Sequence, residues 1–226
     1  MSSRSSNPGS GGTDWFAWHH PYDDPHSALS RRLAAVQQAV AGVLEAAPPG
    51  PRRAVSVCAG QGRDLIGVLA DHPRRADVTA RLVEGDPRNA AAARAAAAAA
   101  GLSGVEVVVA DGTVTDPYAG AVPADLVLAC GVFGNVADDR LEAAVGRLRL
   151  LCAPGATLVW TRHRRAPDRT PVLRAAFAAF GFAELGFEVH DPDVWAVGTA
   201  RLTVRPPPFE AGVRLFEFVG DGWRPA

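Results

Sequence analysis

The residues most suited to chemistry begin with Val55-Ser56-Val57-Cys58-Ala59-Gly60-Gln61-Gly62-Arg63-Asp64. A β-branched run enters a turn containing Gly60 and Gly62 and leaves it as a helix. Glycine permits a tight turn and lets a ligand approach the backbone closely. A phosphate-binding dinucleotide loop needs another glycine three residues after Gly62. That position is Leu65, so the turn suits a nucleoside without a pyrophosphate, or is an ordinary strand–helix turn. The next apolar run ends Leu82-Val83-Glu84-Gly85-Asp86-Pro87. Glu84 follows Gly62 by 22 residues, close to the spacing of an acid that accepts both hydroxyls of a ribose. Asp86 can at the same time cap the helix that Pro87 opens. A third run ends Val109-Ala110-Asp111-Gly112, which offers a carboxylate and a free N–H to the amino edge of an adenine, or simply an Asp-Gly turn.

Three further segments carry reactive or binding side chains. Ala129-Cys130-Gly131-Val132-Phe133-Gly134-Asn135-Val136 is rich in small residues, with Asn135 as a polar contact or a helix-turn residue. Thr161-Arg162-His163-Arg164-Arg165 offers His163 as a general base or substrate contact and arginines for an acidic group, against the alternative of a solvated basic loop. Residues 13–26 concentrate Trp15, Phe16, Trp18, His19, His20, Tyr22 and His26 ahead of any regular element. Trp15, Trp18 and Tyr22 read as lid aromatics, with His19 or His20 as a candidate base, against the alternative that the Trp residues merely staple the arm to the core. His19, His20, Asp23 and His26 match no ordered zinc spacing, so no metal is expected.

The elements that must position these groups alternate. Ser27 caps a helix whose apolar face is Leu29, Leu33, Val36, Val40, Val43 and Leu44, ended by Pro48-Pro49-Gly50-Pro51. Strands are predicted at Arg53–Cys58, Val78–Glu84, Val105–Ala110, Asp125–Cys130 and Ala156–Thr161, the last after a Pro154-Gly155 turn. Helices fall between them, at about Asp64–Ala70, over an alanine-rich stretch stopped at Gly101, and at Asp138–Leu151. A further helix, Pro171–Phe180, stops at Gly181. Strands spaced by helices imply right-handed crossovers and a parallel sheet. Phe182–Val189, Ala196–Val204 and Val213–Val219 then read as strands without helices, an antiparallel addition at one edge.

Taken in order, the glycine turn, the Glu84 and Asp111-Gly112 strand ends and the antiparallel tail resemble the class I S-adenosylmethionine (SAM)-dependent methyltransferases, over about residues 53–204. The resemblance implies an α/β fold with a Rossmann-like, seven-stranded, mostly parallel sheet, helices on both faces and an antiparallel C-terminal edge. It implies SAM as cofactor, with the glycine loop against its methionine part, Glu84 on the ribose and Asp111 with Gly112 at the adenine. The cofactor set it gives is Cys58, Ala59, Gly60, Gly62, Glu84, Gly85, Asp86, Asp111, Gly112, Cys130, Gly131 and Val132. The substrate set is Trp15, Trp18, His19, Tyr22, Asn135 and His163, with His163 and His20 as catalytic candidates. Two departures stand out: the family often has an acid where Cys58 stands and a third glycine where Asp64 stands. The first removes a partner for the SAM amino group, which a backbone carbonyl rather than Arg63 must replace. The loop at Cys130–Val136 lacks the Asn/Asp-Pro-Pro-aromatic signature of several amine methylases that act on DNA bases.

Composition narrows the partners. The net charge is −1 and basic residues are all arginine, so no global field attracts nucleic acid and a small-molecule substrate is expected. No apolar run approaches the roughly 20 residues of a membrane helix. Three scattered cysteines read as free thiols in a reducing, cytoplasmic setting. Residues 1–12 read as a disordered tail, 13–46 as an arm and helix shaping a substrate pocket, and 47–226 as the SAM-binding domain. The oligomeric state stays open. Methyl transfer asks for alignment and, at a hydroxyl, removal of a proton. Two rival readings are an aminopropyl-transferase-like enzyme, whose acidic loop is missing from Cys130–Val136, and a non-catalytic SAM-binding module.

Overall fold

A computed structural model describes residues 13–220; the predicted tail over residues 1–12 lies outside them. Seven strands are present, β1 (Arg52–Val57), β2 (Val78–Glu84), β3 (Val105–Val109), β4 (Ala124–Ala129), β5 (Cys152–His163), β6 (Phe182–His190) and β7 (Trp195–Leu202). They form one sheet in the order β3-β2-β1-β4-β5-β7-β6. The first five are parallel, and β7 lies antiparallel between β5 and β6. This is the predicted mixed sheet with its antiparallel C-terminal edge.

Side chains alternate across the central strands because a strand has a period of two. Ala54, Leu126, Leu128 and Val159 face one side, against α1 (Ala28–Ala46), α2 (Arg63–Asp71) and α3 (Pro87–Ala99). Val55, Val127, Leu158 and Trp160 face the other, against α4 (Leu141–Leu148) and α5 (Thr170–Ala179). Helix α1 starts where Ser27 accepts the Ser30 N–H at 3.0 Å, the predicted cap. It buries Val36, Val40 and Leu44. The alanine-rich α3 lies flat on the sheet through Ala90, Ala93 and Ala97. The fully buried Leu65 and Leu69 of α2 lock the helix that follows the glycine turn; truncating either to alanine costs about 2–5 kcal/mol.

The chain runs outward from β1 to β3, then returns to start β4 on the other side of β1. That switch opens a crevice at the C-terminal ends of β1 and β4.

Three predicted elements differ. Val213–Val219 is not a strand. It crosses the loops after β3 and β4, touching them through isolated bridges at Val114–Arg214 and Val136–Phe218. Both Leu215 and Phe216 are buried, which breaks the alternation a half-exposed strand requires. The predicted helix Asp138–Leu151 narrows to α4, flanked by 3-10 turns at Asp138–Arg140 and Arg149–Leu151. Pro154-Gly155 lies inside β5, where a register shift against β4 throws the pair out as an exposed bulge. Among the described residues no helix is long and apolar enough to cross a membrane.

Candidate functional site

A cavity of about 680 Å³ lies over the C-terminal ends of β1, β2, β3 and β4, within the range of small-molecule sites. The turn after β1 forms its floor. Gly60 and Gly62 have φ of 56° and 66°, and Cys58 also has a positive φ, 51°. Three alternate residues are thus left-handed, which curls the backbone tightly beneath the cavity. The β2 tip supplies Glu84, buried, with Oε2 accepting the Gly60 N–H at 2.7 Å and Oε1 accepting the Asp86 N–H at 2.8 Å. Burial raises its pKa and the backbone N–H bonds oppose the rise. Each oxygen keeps a lone pair free, so the carboxylate is fixed in place yet can still accept two hydroxyl donors. Asp86 caps α3 through the Arg88 N–H at 2.9 Å and pairs with the Arg88 guanidinium at 2.6 Å.

The β3 tip brings Asp111 and Gly112 to the same cavity. Asp111 is partly committed to its own turn, with Oδ1 accepting from the Thr113 N–H and hydroxyl at 2.9 and 2.5 Å. The β4 tip brings Cys130 and Gly131. The Gly131 N–H donates to Thr161 Oγ1 at 2.8 Å, and Asn135 Nδ2 donates to the Gly131 carbonyl at 2.9 Å. These bonds fix the loop after β4 to the tip of β5. Burial pushes the thiols of Cys58 and Cys130 well up, so both stay protonated.

The arm closes over this floor. A 3-10 helix spans Ala17–Asp23 and contains no buried residue. Trp15, Trp18, His19 and Tyr22 all line the cavity. The arm is tied to the body by rim contacts: Asp14 to Arg88 at 2.8 Å and Asp23 to Arg63 at 3.1 Å. Arg63 also lies 5.4 Å from the Tyr22 ring centroid, and Arg32 5.7 Å from that of Trp18. His19 Nδ1 sits 2.7 Å from the Trp15 carbonyl. A carbonyl only accepts, so Nδ1 carries the proton and Nε2 presents a lone pair toward Gly60. Burial lowers the His19 pKa and keeps the ring neutral. A Cβ at Gly60 would collide with that Nε2, so this placement of the arm requires glycine there.

The opposite wall comes from the β5 tip and the β6–β7 hairpin. His163 packs against Gly134, and its Nδ1 is buried without a hydrogen-bond partner. Burial, then the Arg162 and Arg165 charges, lowers its pKa. Arg162 is buried, pairs with Asp138 at 2.8 Å and bonds the Phe133 carbonyl. Arg164 pairs with Asp168 and Asp191. Both are structural, which leaves exposed Arg165 as the arginine of this segment that lines the cavity without an ion pair among the described residues.

Comparisons with known proteins now bear on this geometry. No protein-family model matches the chain. No curated protein matches it either. Solved structures do. Magnesium protoporphyrin IX methyltransferase (ChlM) from Synechocystis PCC 6803, solved with bound SAM, aligns with a TM-score of 0.63 at 14% identity over 81% of this chain and 88% of that one. The CurJ carbon methyltransferase aligns at 0.63 with 16% identity over 85% of this chain, which spans only 62% of that structure's length. The 4+2 cyclase SpnF aligns at 0.53 with 16% identity, covering 75% and 80%. The fold is that of the class I SAM-dependent methyltransferases.

Within that fold, both departures noted from sequence stand, Cys58 in the loop and Asp64 two residues after Gly62. The third left-handed position of the loop is Cys58, not Asp64; Asp64 lies inside the first turn of α2. Among the sequence-derived candidates, Cys58, Ala59, Gly60, Glu84, Gly85, Asp86, Asp111, Gly112, Cys130, Gly131, Asn135 and His163 all line the cavity, with the four arm residues. Gly62 sets the turn from beneath. Val132 turns into the core and is fully buried. His20 is exposed on the outer face of the arm, edge-on to Phe16, away from the cavity. A helical turn of three residues cannot point two adjacent histidines inward, and His19 takes that place.

Sequence reasoning missed Arg32, Asp64, Asn89 and Trp195, all on the cavity wall. Asn89 accepts from Gln61 Nε2 at 3.3 Å. A polar residue on the apolar side of an otherwise alanine-rich helix was the available signal for Asn89. Arg32 and Asp64 each had an ordinary helix-surface explanation.

Proposed function

We propose that this chain is a SAM-dependent methyltransferase acting on a small molecule. The observation that supports this best is Glu84, a buried carboxylate anchored by the Gly60 and Asp86 N–H groups, facing one cavity with the glycine turn and Asp111-Gly112. Its two free lone pairs suit the adjacent hydroxyls of a ribose. The residues therefore fit the cofactor: Glu84 for the ribose, Asp111 and Gly112 for the base, and the curled turn for the remainder.

SAM, when bound, supplies a methyl group already activated on a sulfonium. The protein's own work is to hold, align and shield. The aromatic arm excludes water from above. Neutral His163, with its lowered pKa and its ring on the cavity wall, is the group we assign to take a proton from an acceptor hydroxyl, through Nε2, since Nδ1 is buried. Arg165 beside it favours an acceptor carrying negative charge. A cavity of this size and a near-neutral chain suit a small molecule better than a nucleic acid.

A second reading is an enzyme of this fold that performs other chemistry, and the likeness to SpnF supports keeping it. A radiolabelled-methyl assay over phenols, carboxylates and amines separates the two. Transfer to a phenol or acid is expected. SAM binding without transfer to any class would favour the second reading.

A further inference from the structure

Asp64 has no place in the account so far, yet it is a carboxylate on the cavity wall with only 9% of its surface exposed. Its one hydrogen bond from a neighbouring residue comes from the Leu65 N–H at 2.8 Å, and it forms no ion pair among the described residues. Arg32 of α1 lies near enough to stabilise the Asp64 charge from a distance. Arg32 also lines the cavity and has no carboxylate partner among the described residues, its Nη2 donating instead to the Tyr22 hydroxyl at 3.0 Å. The other groups facing Asp64 are Tyr22 of the arm and the protonated Cys130 thiol of the β4 tip. Arg63 is already spent on Asp23 and Gln61.

Buried charges are ordinarily paired, because desolvation is otherwise uncompensated. Here an acid and a base line one cavity, and neither forms an ion pair among the described residues. We infer that Asp64 and Arg32 together receive the α-amino-acid end of the cofactor, Asp64 the ammonium and Arg32 the carboxylate. The assignment rests on the proposed cofactor reading. Its position agrees: Asp64 follows the glycine turn by two residues and its charge acts on Cys130 of the β4 tip, and β4 flanks β1 on the side away from β2 and β3. A cofactor with its ribose on Glu84 and its base at Asp111 brings its other end to Asp64. A simple amine would be repelled by Arg32, and a simple acid by Asp64; a zwitterion satisfies both. Burial pushes the Asp64 pKa up to about 6, the state of an acid awaiting a cation. The acceptor lost at Cys58 is thereby restored from the helix.

The bland alternative is that Asp64 merely complements the N-terminus of α2. Calorimetry distinguishes them with three probes: S-adenosylhomocysteine, its decarboxylated analogue, and 5′-methylthioadenosine, which lacks the amino-acid end. Asp64→Asn keeps an acceptor for the Leu65 N–H. It should weaken S-adenosylhomocysteine and the decarboxylated analogue about tenfold to a hundredfold and leave methylthioadenosine unchanged. Arg32→Gln should weaken only the carboxylate-bearing probe. Thermal stability of Asp64→Asn should hold or rise, since a buried charge is removed. Equal effects on all three probes, no effect, or a fall in stability as the sole change would overturn the assignment. If the wild-type chain bound S-adenosylhomocysteine no better than methylthioadenosine, Asp64 and Arg32 would have no such role. If it bound none of the three, the cofactor reading itself would fail.

Discussion

The two ends of the cavity are built differently. At the cofactor end, four adjacent parallel strands deliver the turn after β1, Glu84, Asp111 and Cys130, and backbone N–H groups hold the Glu84 and Asp111 carboxylates in place. At the acceptor end, the wall is assembled from segments far apart in the chain. Arg31 of α1 clamps Asp193 of the β6–β7 hairpin, with Nε and Nη2 at 2.5 and 2.6 Å. His190 stacks on Trp195 with centroids 5.1 Å apart, and the arm rests on rim ion pairs. The first end is a property of the sheet. The second depends on side chains meeting across exposed ground, where each ion pair contributes little. The contrast teaches that cofactor affinity should be stubborn toward changes at the rim, whereas acceptor handling should be sensitive to them.

The largest break in this comparison is expected at His163. His163→Gln should cut methyl transfer about a hundredfold or more while leaving the calorimetric affinity for S-adenosylhomocysteine unchanged. The pH–rate profile gives a second check. A base with a lowered pKa is already deprotonated at neutral pH, so the rate should stay level there and fall only below the ordinary histidine range, near 6.5. A wild-type rate that halves between neutral pH and that range would count against His163.

The cofactor end should respond to acid through Asp64. With its pKa raised to about 6 in the free protein, Asp64 loses its charge as pH falls through that value. Affinity for S-adenosylhomocysteine should therefore drop by about tenfold at most per unit below pH 6, and methylthioadenosine should lack that component. Folding responds with the opposite sign: a raised carboxylate pKa costs stability above about 6, and the cost fades as pH falls from there toward the ordinary value of 3.8.

A smaller effect is expected where the two ends meet. Gly60→Ala forces a left-handed alanine and a collision with His19, costing about 1–2 kcal/mol, read as a lower Tm. It should also raise protease cleavage within the arm. Smallest is Arg31→Ala, a bidentate rim pair with the largely buried Asp193 side chain, worth about 1 kcal/mol. It should raise the acceptor KM with cofactor affinity unchanged; a matching loss of cofactor affinity would erase the distinction between the ends.

The same division explains what the sequence disclosed. Strands that alternate, a two-glycine turn and an acid at a strand end are local patterns, so the sheet and the cofactor end were legible in it. Val213–Val219 is apolar and aromatic like a strand but has loops rather than an edge to pair with, which only the fold reveals. Cys58 gave no hint of its left-handed backbone, because residue type rarely announces a strained φ. Asp64 sits where acids commonly complement a helix, and Arg32 lies on a charged helix face; their meeting depends on how α1 packs on α2. His19 and His20 were indistinguishable until the arm acquired a helical phase.

The claim beneath all of this is that the tips of β1, β2 and β3 grip a single adenosyl group. Titrating the wild-type protein and Glu84→Ala with S-adenosylhomocysteine by calorimetry tests it most directly. Binding in the micromolar range, weakened about a hundredfold in the variant, is the predicted result. Absence of binding to the wild type, or equal affinity in both proteins, would contradict it.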